Sequence, residues 1–142
     1  MNHEMSIKAL IIIAFIAGYL SSMNIWTVSP DHVRSHWNDN YMILLMTGWT
    51  LLFSFILWSD SLNTILSIVF IIVIVYAIRV QAFVNDTHYL NGMIPHHSMA
   101  ILMSEKILER TKNPRVRSLA QHIIESQYEE IDLMNDILNE KK

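Results

Sequence analysis

The chain contains no cysteine. No disulfide framework and no thiolate metal site can therefore exist, and a soft metal would have to be held by methionine and histidine. Charge is also sparse, at 16% of 142 residues with a net value of −3. No basic stripe interleaved with aromatics occurs, so nucleic acid is not an expected partner. No histidine has a glutamate three residues before it, so the Glu-x-x-His signature of a di-iron carboxylate centre is missing. No charge stands at the centre of any long apolar run, which argues against a self-sufficient ion or proton pathway.

The sequence does hold 52% hydrophobic residues, crowded into its first half. Ile7–Val28, Tyr41–Trp58 and Leu62–Val80 are nearly free of charge, and each is close to the roughly 20 residues that cross about 30 Å of hydrocarbon. The remaining residues are too few to build a soluble partner that would cover three such segments. The expectation is a transmembrane region over 1–84, with helices near 7–28, 41–58 and 62–80, in contact with membrane lipid. Trp26, Tyr41, Trp58 and Tyr76 lie near the run ends, where amphipathic rings favour the headgroup level. The first run, following Lys8, looks like a signal peptide but lacks a small-x-small cleavage site, so it reads as an uncleaved helix. An odd number of crossings puts the Ser29–Asn40 loop on the same side as everything after Val80. Lys8 against Arg34 and Arg79 tilts the charge rule slightly toward a cytoplasmic tail.

Residues 85–142 read as a helical hairpin. Tyr89, Met93, Ala100, Met103 and Ile107 share a stripe with His96 in its middle. Gly92 and Pro95 allow either a kink or a fresh helix with proline in its first turn. A second helix should start at Asn113-Pro114, a favoured cap followed by proline, and run to about Leu138. Its apolar face is Val116, Leu119, Ala120, Ile123, Ile124, Ile131, Met134 and Leu138, with Gln127 inside it and Glu130 at its border. Either helix of a lone hairpin would leave an apolar stripe uncovered. Pairing two chains into a four-helix bundle is the simplest cover; the membrane region or the His32 loop would also serve.

The segment Asn85–Met103 concentrates the chemistry. His96 and His97 are adjacent and point about 100° apart on a helix. His96 with Met93, Met99 and Met103 makes the better group, thioether and imidazole along one side, a donor set suited to Cu(I). Methionine stripes are more often flexible core filler than ligands, but His88 just before and His122 on the partner helix are hard to explain as packing. His32 and His36 form an i, i+4 pair if their loop is helical, either a second site or merely solvated. A zinc hydrolase using Glu105 or Glu130 as base lacks support from three firm ligands.

The ordered run Asp86, Tyr89, Met93-Ile94-Pro95-His96-His97, Ala100-Ile101, Met103, then Pro114, Val116, Leu119-Ala120, Ile123-Ile124, Gln127, Glu130-Ile131 and Met134 resembles the DUF305 family. The resemblance implies a ferritin-like helical hairpin or bundle, usually exported, with members that bind copper and sometimes silver through methionine and histidine. Carried over by position, the implied site residues are Asp86, Met93, His96, His97, Met103, Gln127, Glu130 and Met134. Gly92 stands where the family often has a further methionine and Ile137 where it often has tryptophan; His88, Met99 and His122 are candidate substitutes for the missing donor. The family's usual export outweighs the three-residue charge count and implies an amino terminus inside and a tail outside a bacterial inner membrane. The expectation is an all-α, non-enzymatic, membrane-anchored copper-capturing protein that forms a homodimer or higher homo-oligomer. A structural or interaction module, whose hairpin dimerises or docks a membrane partner, is the alternative.

Overall fold

The computed structural model describes residues 6–140. Among them the chain is all-helical: α1 (Ile7–Leu20), α2 (Trp37–Leu57), α3 (Ser61–Arg79), α4 (Asp86–Leu108) and α5 (Pro114–Glu140), with two short 3-10 turns at Met23–Trp26 and Pro30–His32. They form two compact units, one of α1, α2 and α3, the other of residues 23–36 with α4 and α5.

In the first unit three segments are long and apolar enough to cross a membrane: Ile7–Trp26, Trp37–Leu57 and Ser61–Arg79. Most of their large apolar side chains point outward; Leu57, for example, is 82% exposed. The first segment differs from the predicted helix 7–28, because α1 itself ends at Leu20. Ser21 closes it by donating its backbone N–H to Ala17 and Gly18 carbonyls. Asn24 then clasps Arg34, its Nδ2 donating to the Arg34 carbonyl at 2.8 Å and its Oδ1 accepting from the Arg34 N–H at 2.9 Å. Residues 23–28 are thereby drawn into the second unit. Conversely, α2 starts at Trp37, four residues before the apolar run, with Asp39 in its first turn where the helix dipole favours a carboxylate.

Polar residues inside these helices turn back on their own backbone: Thr47 Oγ1 donates to the Ile43 carbonyl at 2.8 Å and Ser67 Oγ to the Asn63 carbonyl at 2.9 Å. This satisfies the hydroxyls within the helix itself, without recourse to water. Close helix contacts fall at glycines. A Cβ at Gly18 would stand 3.2 Å from Ile43 Cα, and one at Gly48 would stand 2.9 Å from Ile71 Cγ1.

The chain has only three glycines, and neither C-terminus of α2 nor α3 receives one. Both nevertheless end in the same left-handed closure. Asp60 N–H returns to the Phe55 carbonyl at 3.0 Å and Ser59 N–H to Ile56 at 3.1 Å; Ala82 N–H returns to Ala77 at 3.0 Å and Gln81 N–H to Ile78 at 3.2 Å. Ser59 and Gln81 therefore carry φ of 55° and 50° themselves. Just beyond, Trp37 packs on Tyr41 and Phe83 with ring centroids 6.0 and 5.8 Å apart, and the Tyr41 hydroxyl donates to the Ala82 carbonyl.

In the second unit α4 is capped by Asn85, whose side chain accepts from the His88 N–H at 2.9 Å. The helix runs unbroken through the buried Pro95, which decides between the two options left by the sequence. At the far end Asn113 Oδ1 accepts from Arg115 N–H at 2.9 Å, and α5 begins at Pro114 as expected from the cap chemistry. The core consists of Leu90, Ile94, Ile101, Ile131 and Met134, with Val28, Met93, Ile124, Ile137 and Leu138 packed around it. Burying these side chains supplies the main stabilisation, about 25 cal/mol per Å² removed from water.

Residues 23–36 form a strap across the hairpin. Val28 joins the core, and its N–H donates to Ser98 Oγ at 2.9 Å. His32 Nδ1 lies 2.8 Å from the same oxygen, and Arg34 Nη2 donates to Asn135 Oδ1 at 3.1 Å. Of the covers considered for the hairpin, the His32 loop is one that is present within a single chain.

Candidate metal-binding face of the hairpin

The buried stripe of α4 is Leu90, Ile94, Ser98, Ile101 and Ser104. The methionine–histidine stripe lies on another side of the same helix. His96 is exposed and Met103 is 60% exposed, while Met93, Met99 and Ala100 are half-buried. A methionine that far into solvent is not filling core, so the ordinary explanation of a methionine stripe does not cover Met103. Met93 does pack against the core, and Met134 is fully part of it at 7% exposed.

His97 turns toward α5. Its Nδ1 lies 2.9 Å from Glu130 Oε2, although the approach is out of hydrogen-bonding alignment. Burial holds the His97 imidazole below its usual range; Glu130 opposes that shift and neighbouring His96 adds to it. This contact registers the antiparallel pair, setting Ala100–Ile101 level with Gln127 and Met93–Ile94 level with Met134. Gln127 is half-buried, His122 and Asp86 are exposed, and His88 is half-buried. The eleven sequence-chosen residues thus separate into an exposed stripe, a His97–Glu130 pair, core flanks and positions elsewhere on the two helices. Among the described residues, no three His, Asp or Glu side chains come together closely enough to hold one ion. The donors that do share a face are two thioethers and an imidazole, Met93, His96 and Met103, with Met99 beside them. Such a set fits a soft monovalent metal and not a hard divalent one.

Sequence reasoning missed Ser98, which is 0% exposed and receives both strap contacts. A polar residue set between Ile94 and Ile101 was the available signal, the same one that singled out Gln127. Burial and then Arg34 push the His32 imidazole below its usual range, against the opposing pull of Asp31 and Asp132. Ser98 Oγ accepts from the Val28 N–H and is hydrogen-bonded to His32 Nδ1.

At the turn end of the hairpin the side of α4 bearing Met103 opens into an apolar groove of about 630 Å³. Met103 and Ile107 form one wall, Leu119 and Ile123 the other, and Trp26 of the strap closes one end.

Residues 77–141 match the family described as "Domain of unknown function (DUF305)". Over its whole length the chain is similar to the Uncharacterized protein L153 of Acanthamoeba polyphaga mimivirus. The two are 52% identical over 147 residues, covering 100% of this chain and 96% of that protein. No solved structure matches the chain. With its Met-Ile-Pro-His-His segment inside the matched residues and its paired helices α4 and α5 spanning them, the chain belongs to the DUF305 family.

Proposed function

We propose that this protein is a membrane-anchored, non-enzymatic module that captures Cu(I) on the exposed methionine–histidine face of α4. The single observation that carries the reading is the exposure of that face. Met103 and His96 remain outside the core while a different stripe of the same helix packs against α5 and the strap. Thioether and imidazole donors in a chain without cysteine suit an oxidising, thiol-poor compartment. We place strap and hairpin on the extracytoplasmic side, with the amino terminus inside. The strap's packing on the hairpin supports the parity count that put both on one side. The family's usual setting points to a bacterial inner membrane. The similarity to the mimivirus protein runs through the apolar segments as well as the hairpin.

Competition titration of the full chain in detergent with Cu(I) and a chromophoric chelator tests the metal reading. Wild type should withdraw copper from the chelator, and the triple variant Met93→Leu/His96→Leu/Met103→Leu, checked for unchanged helicity, should not. Equal binding by both proteins would refute it. Orientation is read separately with Lys112→Cys in the cysteine-free chain. A membrane-impermeant maleimide should label it in right-side-out vesicles, and labelling only after lysis would reverse the topology.

The groove beside Met103 favours a second reading, a docking module. On that view the triple variant binds copper no worse than wild type and instead loses a protein contact.

A further inference from the structure

The methionine–histidine stripe of α4 has a regular form. Tyr89, Met93, His96, Ala100, Met103 and Ile107 are spaced 4, 3, 4, 3, 4, the a/d spacing of a coiled-coil seam. On α5 the facing side repeats it with Leu119, Ile123, Ser126, Glu130, Leu133 and Ile137. The two seams flank one another: Met103 and Ile107 meet Leu119 and Ile123 in the groove, and His97 meets Glu130 at mid-length. One side of the hairpin is therefore a double seam with Tyr89, Leu119 and Leu133 between 54% and 59% exposed.

We propose that a second copy of this chain covers this side, its α4 running antiparallel over α4, and that each Cu(I) site is shared between the two copies. The site part of the inference rests on the copper reading above; the pairing does not. Charge selects the occupant and its direction. The turn end carries Lys106, Arg110, Lys112, Arg115 and Arg117 against Glu105 and Glu109, a surplus of positive charge, whereas the far end carries Asp86, Asp132, Asp136 and Glu140 against Lys141 and Lys142 in the sequence, a surplus of negative charge. Two hairpins stacked with turns together would set cations on cations. Stacked head to tail, each turn lies on the other copy's acidic end. A two-fold axis relates them, as an isologous interface requires.

The reversed seam also fits by size. A 4, 3, 4, 3, 4 spacing reads the same backward, so Tyr89 faces Ile107 of the second copy, Met93 faces Met103, and His96 faces the small Ala100. On α5 the same operation sets Glu130 against the small Ser126. Within one chain His96 and Met103 are seven residues apart, about 10 Å along the helix, too far to share an ion comfortably. Across the interface Met93 and His96 of one copy come level with Met103 of the other. Two equivalent three-donor sites result, one copper per chain.

The absence of cysteine makes the test direct. Tyr89→Cys and Ile107→Cys are placed on differently tagged full-length chains, co-expressed, and oxidised in membranes without added copper. A disulfide between the two chains is expected. Neither variant alone should link to itself, since the two copies of position 107 would lie about 27 Å apart along the seam, beyond disulfide reach. Absence of the mixed disulfide, or its formation instead between Tyr89→Cys and Ile137→Cys chains, would overturn the antiparallel pairing. For the shared site, Met103→Leu chains and Met93→Leu/His96→Leu chains should each lose copper binding. The doubly tagged hetero-pair should recover half the wild-type copper. Full binding by Met103→Leu alone would overturn sharing. A mixed disulfide between the Tyr89→Cys and Ile107→Cys chains, together with a wild type that takes up no copper, would leave the pairing standing and refute the metal reading by itself.

Discussion

At the residue scale, two kinds of position bear the cost of the fold. Ser59 and Gln81 hold left-handed backbone at the ends of α2 and α3 with side chains that disfavour it. Ser59→Gly and Gln81→Gly should each stabilise the protein by about 1 kcal/mol, read as a higher midpoint of thermal or SDS unfolding in detergent; an unchanged midpoint would show the strain is relieved elsewhere. The second kind is the buried imidazole. His32 and His97 both titrate below the usual imidazole value near 6.5, so the unfolded chain takes up their protons first as pH falls. Stability is then complete above about 6.5 and declines progressively below it. Unfolding followed from pH 7.5 to 5 should show this decline, and the His32→Gln/His97→Gln double variant should flatten it. A slope that persists in the double variant would assign the acid sensitivity to other groups.

At the element scale, α4 explains what the sequence did and did not disclose. The start of α5 was legible because capping is local chemistry: Asn113-Pro114 predicts it, and the structure starts the helix there. The core stripe of α4 was harder to read because the helix is apolar on two sides. Periodicity identified the stripe through Met93 and Met103, but could not say that Leu90, Ile94 and Ile101 would take the core. Ile94, with 0% exposure, makes the difference measurable. Ile94→Ala should cost about 2–5 kcal/mol, whereas Leu133→Ala on the outer seam of α5 should leave hairpin stability within about 0.5 kcal/mol in the undimerised chain. Comparable losses at both sites would mean the core is drawn on the wrong face. In the first unit, Gly18 admits the Ile43 backbone to within 3.2 Å of a would-be Cβ. Gly18→Leu should therefore push α1 off α2, seen as faster proteolysis of α1 in detergent; a resistant variant would show that contact to be dispensable.

At the scale of the whole molecule, the strap is the feature sequence periodicity could not supply. Val28 was read as the end of a membrane run, yet it reaches Ser98 across 70 residues of chain and joins the hairpin core. No local pattern encodes a register between segments that far apart. The consequence is that the hairpin core is incomplete without residues 23–36. A fragment of 85–142 should unfold at lower temperature than the same hairpin with the strap fused to it, and Ser98→Ala in the full chain should shift it partway in the same direction. Equal stability of the two fragments would show the strap to be only laid on the surface. The class of the helices and their apolar spans follow from composition and run length. The pairing of His32 with Ser98 and of Arg34 with Asn135 follows only from three-dimensional packing.

The copper proposal rests on sulfur and imidazole of α4 as ligands, and copper K-edge X-ray absorption on the full chain loaded with one Cu(I) equivalent reads those ligands directly. It predicts thioether sulfur together with imidazole nitrogen around the ion, with the sulfur contribution lost in Met93→Leu/Met103→Leu. A first shell of oxygen and nitrogen alone, or one unchanged in that variant, would contradict it.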